Sequence, residues 1–277
     1  MKFLAVLAAV LAGSGAQAPK PVPSFRHVVV IVFENKEASS ILGNRDAPTF
    51  NGLARRYARL TRYYGVTHPS LPNYLALVSG STQGITTDCT TCLVSARNIA
   101  DTLEGAAKTW KLYAEGLPQS GFTGPSAGLY AKKHVPLLYF RDVLDTKVRL
   151  DRVVPFTELQ SDVRASALPD FAFVVPNLCH SMHDCPVRTG DAWLHSMLPP
   201  LLRLAETVVF VVFDEGSSDA RGGGHVDALA LGTAVRRGVS YTRITGHYAL
   251  LRTVEAAWGL PLLGRSAQVK PVTGIWQ

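Results

Sequence analysis

The stretch His27-Val28-Val29-Val30-Ile31-Val32-Phe33-Glu34-Asn35 decides the fold class. Its apolar part is β-branched and unbroken by polar residues, the pattern of a strand covered on both faces rather than one with a wet side. Similar runs recur at 171–175, at 208–213 and, more weakly, at 228–231. Between them lie segments with helical periodicity, at 49–58, 74–78, 96–107, 191–204 and 247–257. Strands alternating with helices predict an α/β domain: a mostly parallel central β-sheet flanked by helices on both faces. Neither an internal repeat nor a composition shift appears after residue 25, so a single domain over 26–277 is expected.

The N-terminal end reads differently. Residues 1–18, MKFLAVLAAVLAGSGAQA, carry one cation, a short apolar run and small residues at the end. That is the layout of a secretory signal cleaved after Ala18, and the run is too short to span a bilayer. Residues 19–25 are proline-rich and read as a linker. No later stretch has membrane-spanning length, so a secreted or periplasmic monomer without a transmembrane segment is expected. Export also bears on Cys89, Cys92, Cys179 and Cys185, the four cysteines of the chain. Outside the cytosol they favour disulfides, with local pairing preferred among the three connectivities. A zinc site built from them, or with His180 and His183, is the competing reading.

The 277 residues are 47% hydrophobic and 18% charged, a globular composition that excludes disorder. The formal charge is +7, and Lys2 is the one charged residue in 1–18, so the exported chain carries +6. A modest basic excess suits anionic partners. The cations are scattered rather than striped, which argues against nucleic acid.

Candidate chemistry sits at strand ends, where open α/β sheets bind their ligands. Glu34-Asn35 follows the first buried run and Asp214-Glu215 follows the strongest later one. A carboxylate directly after a buried strand is expensive unless solvated or paired. Two such pairs from strands distant in sequence can converge on one hard cation with oxygen ligands. The segment Thr67-His68-Pro69-Ser70-Leu71-Pro72-Asn73-Tyr74 places Ser70 where a helix begins. Ser70 reads either as an N-cap or as a nucleophile in the positive field of a helix N-terminus, a field that also suits phosphate. His68 reads as a local base or a plain loop histidine. His134, His183, His225 and His247 all fall near expected loops, and Lys132-Lys133 reads as a surface pair.

Ser70-Leu71-Pro72-Asn73 with Ser79-Gly80 behind it resembles the nucleophile loop of the alkaline phosphatase superfamily. The strand ending in Glu34-Asn35, the Lys133-His134-Val135-Pro136 loop, Met182-His183-Asp184, the strand ending in Asp214-Glu215, and the segment 246–264 extend the likeness. In their order they resemble the phosphoesterase family, which contains phospholipases C and bacterial secreted acid phosphatases. The likeness is greatest to small acid phosphatases, some of which act on phosphatidylinositol 3-phosphate. It runs from about His27 to Trp276.

The resemblance implies an alkaline-phosphatase-like domain and a phosphoserine mechanism. Ser70 matches the nucleophile. Glu34, Asn35, Asp214 and Glu215, with the Ser70 oxygen, match positions that hold a metal ion. Asn73, His134 and His183 match phosphate-contacting or acid–base positions, and His225 and His247 lie in matching segments, His247 as a substrate contact. Asp184 matches a ligand or a group orienting His183. An all-oxygen ligand set favours calcium or magnesium, with zinc as the alternative. The expected substrates are small phosphate monoesters or phosphoinositide headgroups. The long insertions of the larger phospholipases are absent, which favours a phosphomonoesterase over a phospholipase C-type phosphodiesterase. The reading from another class is an exported, non-catalytic protein that binds anions or membrane surfaces through its charge.

Overall fold

The structure, a computed structural model, describes residues 21–277. The signal expected over 1–18 and the first residues of the expected linker lie outside the described residues. The linker's other end is already part of the domain: Phe25 is buried, stacks edge-on against Trp276 at 5.2 Å and accepts a hydrogen bond from the Trp258 indole.

The strands of the main sheet are β1 (His27–Phe33), β2 (Ala58–Leu60), β3 (Trp110–Ala114), β4 (Val153–Pro155), β5 (Phe171–Val175), β6 (Thr207–Phe213), β7 (Ala228–Leu231) and β8 (Ser240–Tyr241). They run in the order β8-β2-β7-β6-β1-β5-β3-β4, an eight-stranded sheet. β1 pairs in parallel with β5 on one side and β6 on the other, while β7 is antiparallel to both its neighbours. The apolar runs of the sequence occupy the centre, where both faces are covered and no polar side chain is tolerated. The short β4, ending in Pro155, sits at an edge, where a missing N–H leaves no ladder bond unmade.

The helices that bear on the site and its supports are α1 (Pro48–Arg56), α2 (Ser70–Ser79), α3 (Ile99–Gly105), α4 (Val187–Leu202) and α5 (His247–Trp258). α2 begins four residues before the helix expected from periodicity, because Pro72 falls within its first turn, where proline is tolerated. α3 starts at Ile99, since the Asn98 side chain accepts from the Ala100 N–H and forms a capping box with Asp101. α2 ends at Gly80, whose φ of 68° and contact with the Leu263 carbonyl, 1.9 Å from where a Cβ would sit, leave no room for a side chain. An aromatic cluster lies beneath the carboxyl ends of β1 and β6: Phe33 packs at 5.2 Å on Phe50, 5.5 Å on Phe213 and 5.8 Å on Trp193. It makes a rigid floor for the loops above. The four cysteines form two local disulfides, Cys89–Cys92 and Cys179–Cys185, which replaces the competing cysteine zinc site.

Candidate active site

Pairing register builds the centre of the site. In the parallel β1–β6 ladder Phe33 lies opposite Phe213, so the next residues, Glu34 and Asp214, emerge side by side from adjacent strands. Such strands are about 4.8 Å apart, which is too close for two free carboxylates in a dry environment. Both are fully buried. Burial first, and then Asp214, pushes the Glu34 carboxyl well above its ordinary range. Burial likewise raises Asp214, against hydrogen bonds that favour its charged form. Asn35 comes next with φ 53°, a left-handed turn that asparagine tolerates, and its N–H donates to Asp214 Oδ1 at 3.0 Å.

Ser70 opens α2 and faces this pair. Its hydroxyl lies 3.1 Å from Glu34 Oε2 and 3.4 Å from Glu215 Oε1, and donates its one hydrogen to either. One helical turn on, Tyr74 shares that face and donates its phenol hydrogen to Glu34 Oε1. The Lys133–His134 turn brings His134 Nε2 within 3.3 Å of Glu34 Oε2 and stacks its ring on Tyr74 at 5.2 Å. His183 lies beside it, ring centres 5.6 Å apart. The His183 Nδ1–H donates to Asp184 Oδ1 at 2.5 Å, and Lys133 Nζ donates to Nε2 at 3.3 Å. Those partners assign the proton of a neutral His183 ring to Nδ1. Burial, followed by Lys133 and His183, drives the His134 pKa well below its ordinary value.

Glu215 links the site to its rim. Burial and then Asp214 push its carboxyl up to about 7, opposed by His68. His68 Nδ1 lies 2.6 Å from Glu215 Oε2, and Nε2 donates to the Ser218 carbonyl at 3.1 Å. Burial pulls the His68 pKa down, but the Ser218 carbonyl and the Glu215 carboxylate outweigh it and hold the ring above its ordinary value.

Three buried or nearly buried carboxylates thus converge where Lys36 and Lys133 are the neighbouring lysines, and Lys36 itself donates to the Met182 carbonyl at 2.9 Å. Asn35 Oδ1 and Asp214 Oδ2 are buried without a hydrogen-bond partner. Unsatisfied buried oxygens beside crowded carboxylates are the donor set a divalent cation requires. The atoms of Glu34, His134 and His183 that could bind a metal also lie within 4.8 Å of one another, so nitrogen donors stand next to the oxygen set.

Two expected substrate contacts have other tasks. Asn73 Oδ1 accepts from the Val66 and Thr67 N–H groups, and its amide donates to the Thr67 and Pro69 carbonyls. All four of its hydrogen-bonding positions are filled, so it fastens the loop before Ser70 and has none left for a substrate. His247 is fully buried, with Nε2 2.6 Å from the Asp214 carbonyl and Nδ1 2.9 Å from the Tyr63 hydroxyl. It positions Asp214 from behind. His225 Nε2 donates to the Thr61 carbonyl at 2.9 Å. The expected surface pair divides: Lys132 is buried and donates to the Thr90 carbonyl, whereas Lys133 reaches Asp88 and His183. Sequence reasoning missed Tyr74; its spacing of four from Ser70 is the available signal.

The family model described as "Phosphoesterase family" matches residues 41–261. The chain belongs to the phosphoesterase family. It is 37% identical over 265 residues, 94% of this chain and 85% of the relative, to a phosphatidylinositol-3-phosphatase of Mycobacterium tuberculosis. It is 32% identical over 257 residues, 87% of this chain, to a probable acid phosphatase of Kluyveromyces lactis, spanning 60% of that longer protein. The fold is similar to that of an alkaline phosphatase superfamily protein from Vibrio parahaemolyticus, with TM-score 0.60 at 14% identity over 92% of this chain and 72% of the other. The alkaline-phosphatase-like α/β fold and the enzyme class, a hydrolase of phosphoric esters, agree with the sequence reading.

Proposed function

We propose that this phosphoesterase is an exported, divalent-metal-dependent phosphomonoesterase that works through a phosphoserine on Ser70, with phosphoinositide headgroups among its substrates. The carrying observation is the Ser70 hydroxyl at the start of α2, hydrogen-bonded to Glu34 Oε2 inside a cluster of buried carboxylates. The substrate range is supported by the relative named a phosphatidylinositol-3-phosphatase, matched along nearly the whole chain. Export is supported by the signal-like residues 1–18 and by two disulfides. No helix among the described residues is long and apolar enough to cross a membrane.

Glu34, Asn35, Asp214, Glu215 and the Ser70 oxygen are the residues we assign to the cation. They suit calcium or magnesium, while His134 and His183 offer the nitrogen donors that zinc takes. A divalent ion held there neutralises phosphate charge and lowers the pKa of an oxygen it touches. The chain's own groups do the rest. Ser70 Oγ attacks phosphorus, its proton passing to Glu34 Oε2, as the bond to the leaving oxygen breaks. His183, when it carries a second proton on Nε2 while its Nδ1–H stays on Asp184, protonates that leaving oxygen. Water then attacks the phosphoserine and passes a proton to His183 Nε2, the bond from phosphorus to Ser70 Oγ breaks, Ser70 Oγ takes back the proton held by Glu34, and phosphate departs. His134, kept neutral by burial, serves as a donor or ligand rather than as the acid.

Phosphate release from an aryl phosphate, sugar phosphates and phosphoinositides, with and without chelator, tests this reading. Release that stops with chelator and in Ser70→Ala is the expected result. Undiminished turnover by folded Ser70→Ala refutes the mechanism. Phosphocholine release from phosphatidylcholine exceeding phosphate release from monoesters moves the assignment to a phosphodiesterase.

A further inference from the structure

A cavity of about 490 Å³ adjoins the site, walled by the loop at Gly65–Val66, by residues 241–249 and by the segment 265–270. Arg221, Arg243, Arg265 and Lys270 all line it, and no acidic residue does. Among the described residues none of these four cations pairs with a carboxylate. Two of the guanidinium groups are held over aromatic rings, Arg221 at 5.3 Å from the Tyr64 centroid and Arg265 at 5.8 Å from that of Tyr248. Stacking restrains them, so less freedom is lost when they meet an anion. The start of α5, a 12-residue helix, forms part of the same wall and adds its positive end. A concave surface with one sign of charge concentrates anions.

The cavity lies beside the loops that build the catalytic centre. Val66 lies four residues before Ser70, a span of at most about 14 Å even if fully extended. Its N–H is held by Asn73 within the loop that delivers Ser70. His247 lines the cavity and contacts the Asp214 carbonyl. Arg221 belongs to the 214–225 loop, which also supplies Glu215 and the Ser218 carbonyl to the site.

We propose that this cavity binds a second, non-reacting phosphate group of the substrate while the scissile monoester lies at Ser70. A phosphorylated inositol headgroup has this chemistry, with a phosphodiester on the same ring as the monoester. The inference rests on the phosphomonoesterase reading and deepens it by assigning selectivity to Arg221, Arg243, Arg265 and Lys270. These four set the preference for doubly phosphorylated over singly phosphorylated substrates.

The test measures kcat/KM for 4-nitrophenyl phosphate and for glycerophosphoinositol 3-phosphate, the water-soluble headgroup. A third arm uses phosphatidylinositol 3-phosphate in phosphatidylcholine vesicles. The wild type is compared with Arg243→Ala/Lys270→Ala and with Arg243→Glu, all at exposed positions. The ratio of soluble headgroup to aryl phosphate is expected to fall about tenfold in the double variant, through KM, and further with charge reversal. Added salt weakens the wild-type preference. An unchanged ratio overturns the proposal, whether both activities fall or neither does. A loss confined to the vesicle arm also overturns it and assigns the cations to the lipid surface. Absence of phosphate release by the wild type from every substrate refutes the phosphatase reading itself, and the cavity's role falls with it.

Discussion

Tyr74→Phe isolates one hydrogen bond behind the nucleophile. The phenol is fully buried and donates to Glu34 Oε1, while Glu34 Oε2 faces Ser70. Burial and the Glu34 charge raise the phenol's pKa well above its ordinary value, so it remains a donor at every working pH. Phenylalanine keeps the ring that stacks on His134 at 5.2 Å and packs near Phe173, so the change removes one oxygen and little packing. A hydrogen bond to a charged acceptor contributes about 1.5–3 kcal/mol. At about 1.4 kcal/mol per decade, losing it weakens the orientation of Glu34 by roughly one to two decades. Removing the partner of a metal-binding carboxylate typically reduces metal affinity or activity by about 10–100-fold. The assay is phosphate release from an aryl phosphate, titrated with divalent metal after chelation, alongside thermal unfolding. The expected outcome is a shift of the metal titration to about 10–100-fold higher concentration in a protein that still folds cooperatively. An identical titration curve and identical turnover refute the argument that Tyr74 holds Glu34 for the cation.

Groups around this centre give further expected outcomes. Burial pushes the Asp227 carboxyl up to about 6, with Arg59 opposing at 3.6 Å. Folding therefore raises its pKa above the unfolded value of about 4, and this group's contribution to stability falls as pH rises between about 4 and 6, by roughly 3 kcal/mol. Denaturant unfolding at several pH values should show that component of the slope missing in Asp227→Asn; the same slope in both proteins contradicts the assignment. The Cys179–Cys185 bridge, six residues apart in sequence, closes the loop carrying His183. Its double serine variant should lose about 2 kcal/mol, with a larger fractional fall in kcat than in the stacking-dependent fluorescence of the core. Unaltered kcat would separate that loop from catalysis.

The centre of the fold was legible because its strands are apolar without interruption, and so were the carboxylates that end them. β3 was not, because Lys111 interrupts Trp110-Lys111-Leu112-Tyr113-Ala114; its ammonium leaves the sheet to meet Glu158 and Asp162. β2, β4 and β8 are two or three residues long, below what periodicity resolves. In the site, Ser70, Glu34, Asp214 and Glu215 announced themselves by position, since polar groups at the ends of buried elements require a reason. Asn73 and His247 were legible as polar groups near the site, but their bonds to the backbone and to Tyr63 were not, because a sequence does not show which valences the fold fills. His68 gained significance only from Glu215, far away in the chain. The basic cavity was equally hidden: Arg221, Arg243, Arg265 and Lys270 are scattered along the sequence and meet only after the loops fold.

The most direct measurement is acid quenching of the enzyme during steady-state turnover of an aryl phosphate, followed by mass spectrometric mapping of covalent phosphate. Phosphate is expected on the peptide containing Ser70, localised to that side chain and absent from Ser70→Ala. Phosphate on another residue, or full turnover by folded Ser70→Ala, contradicts it.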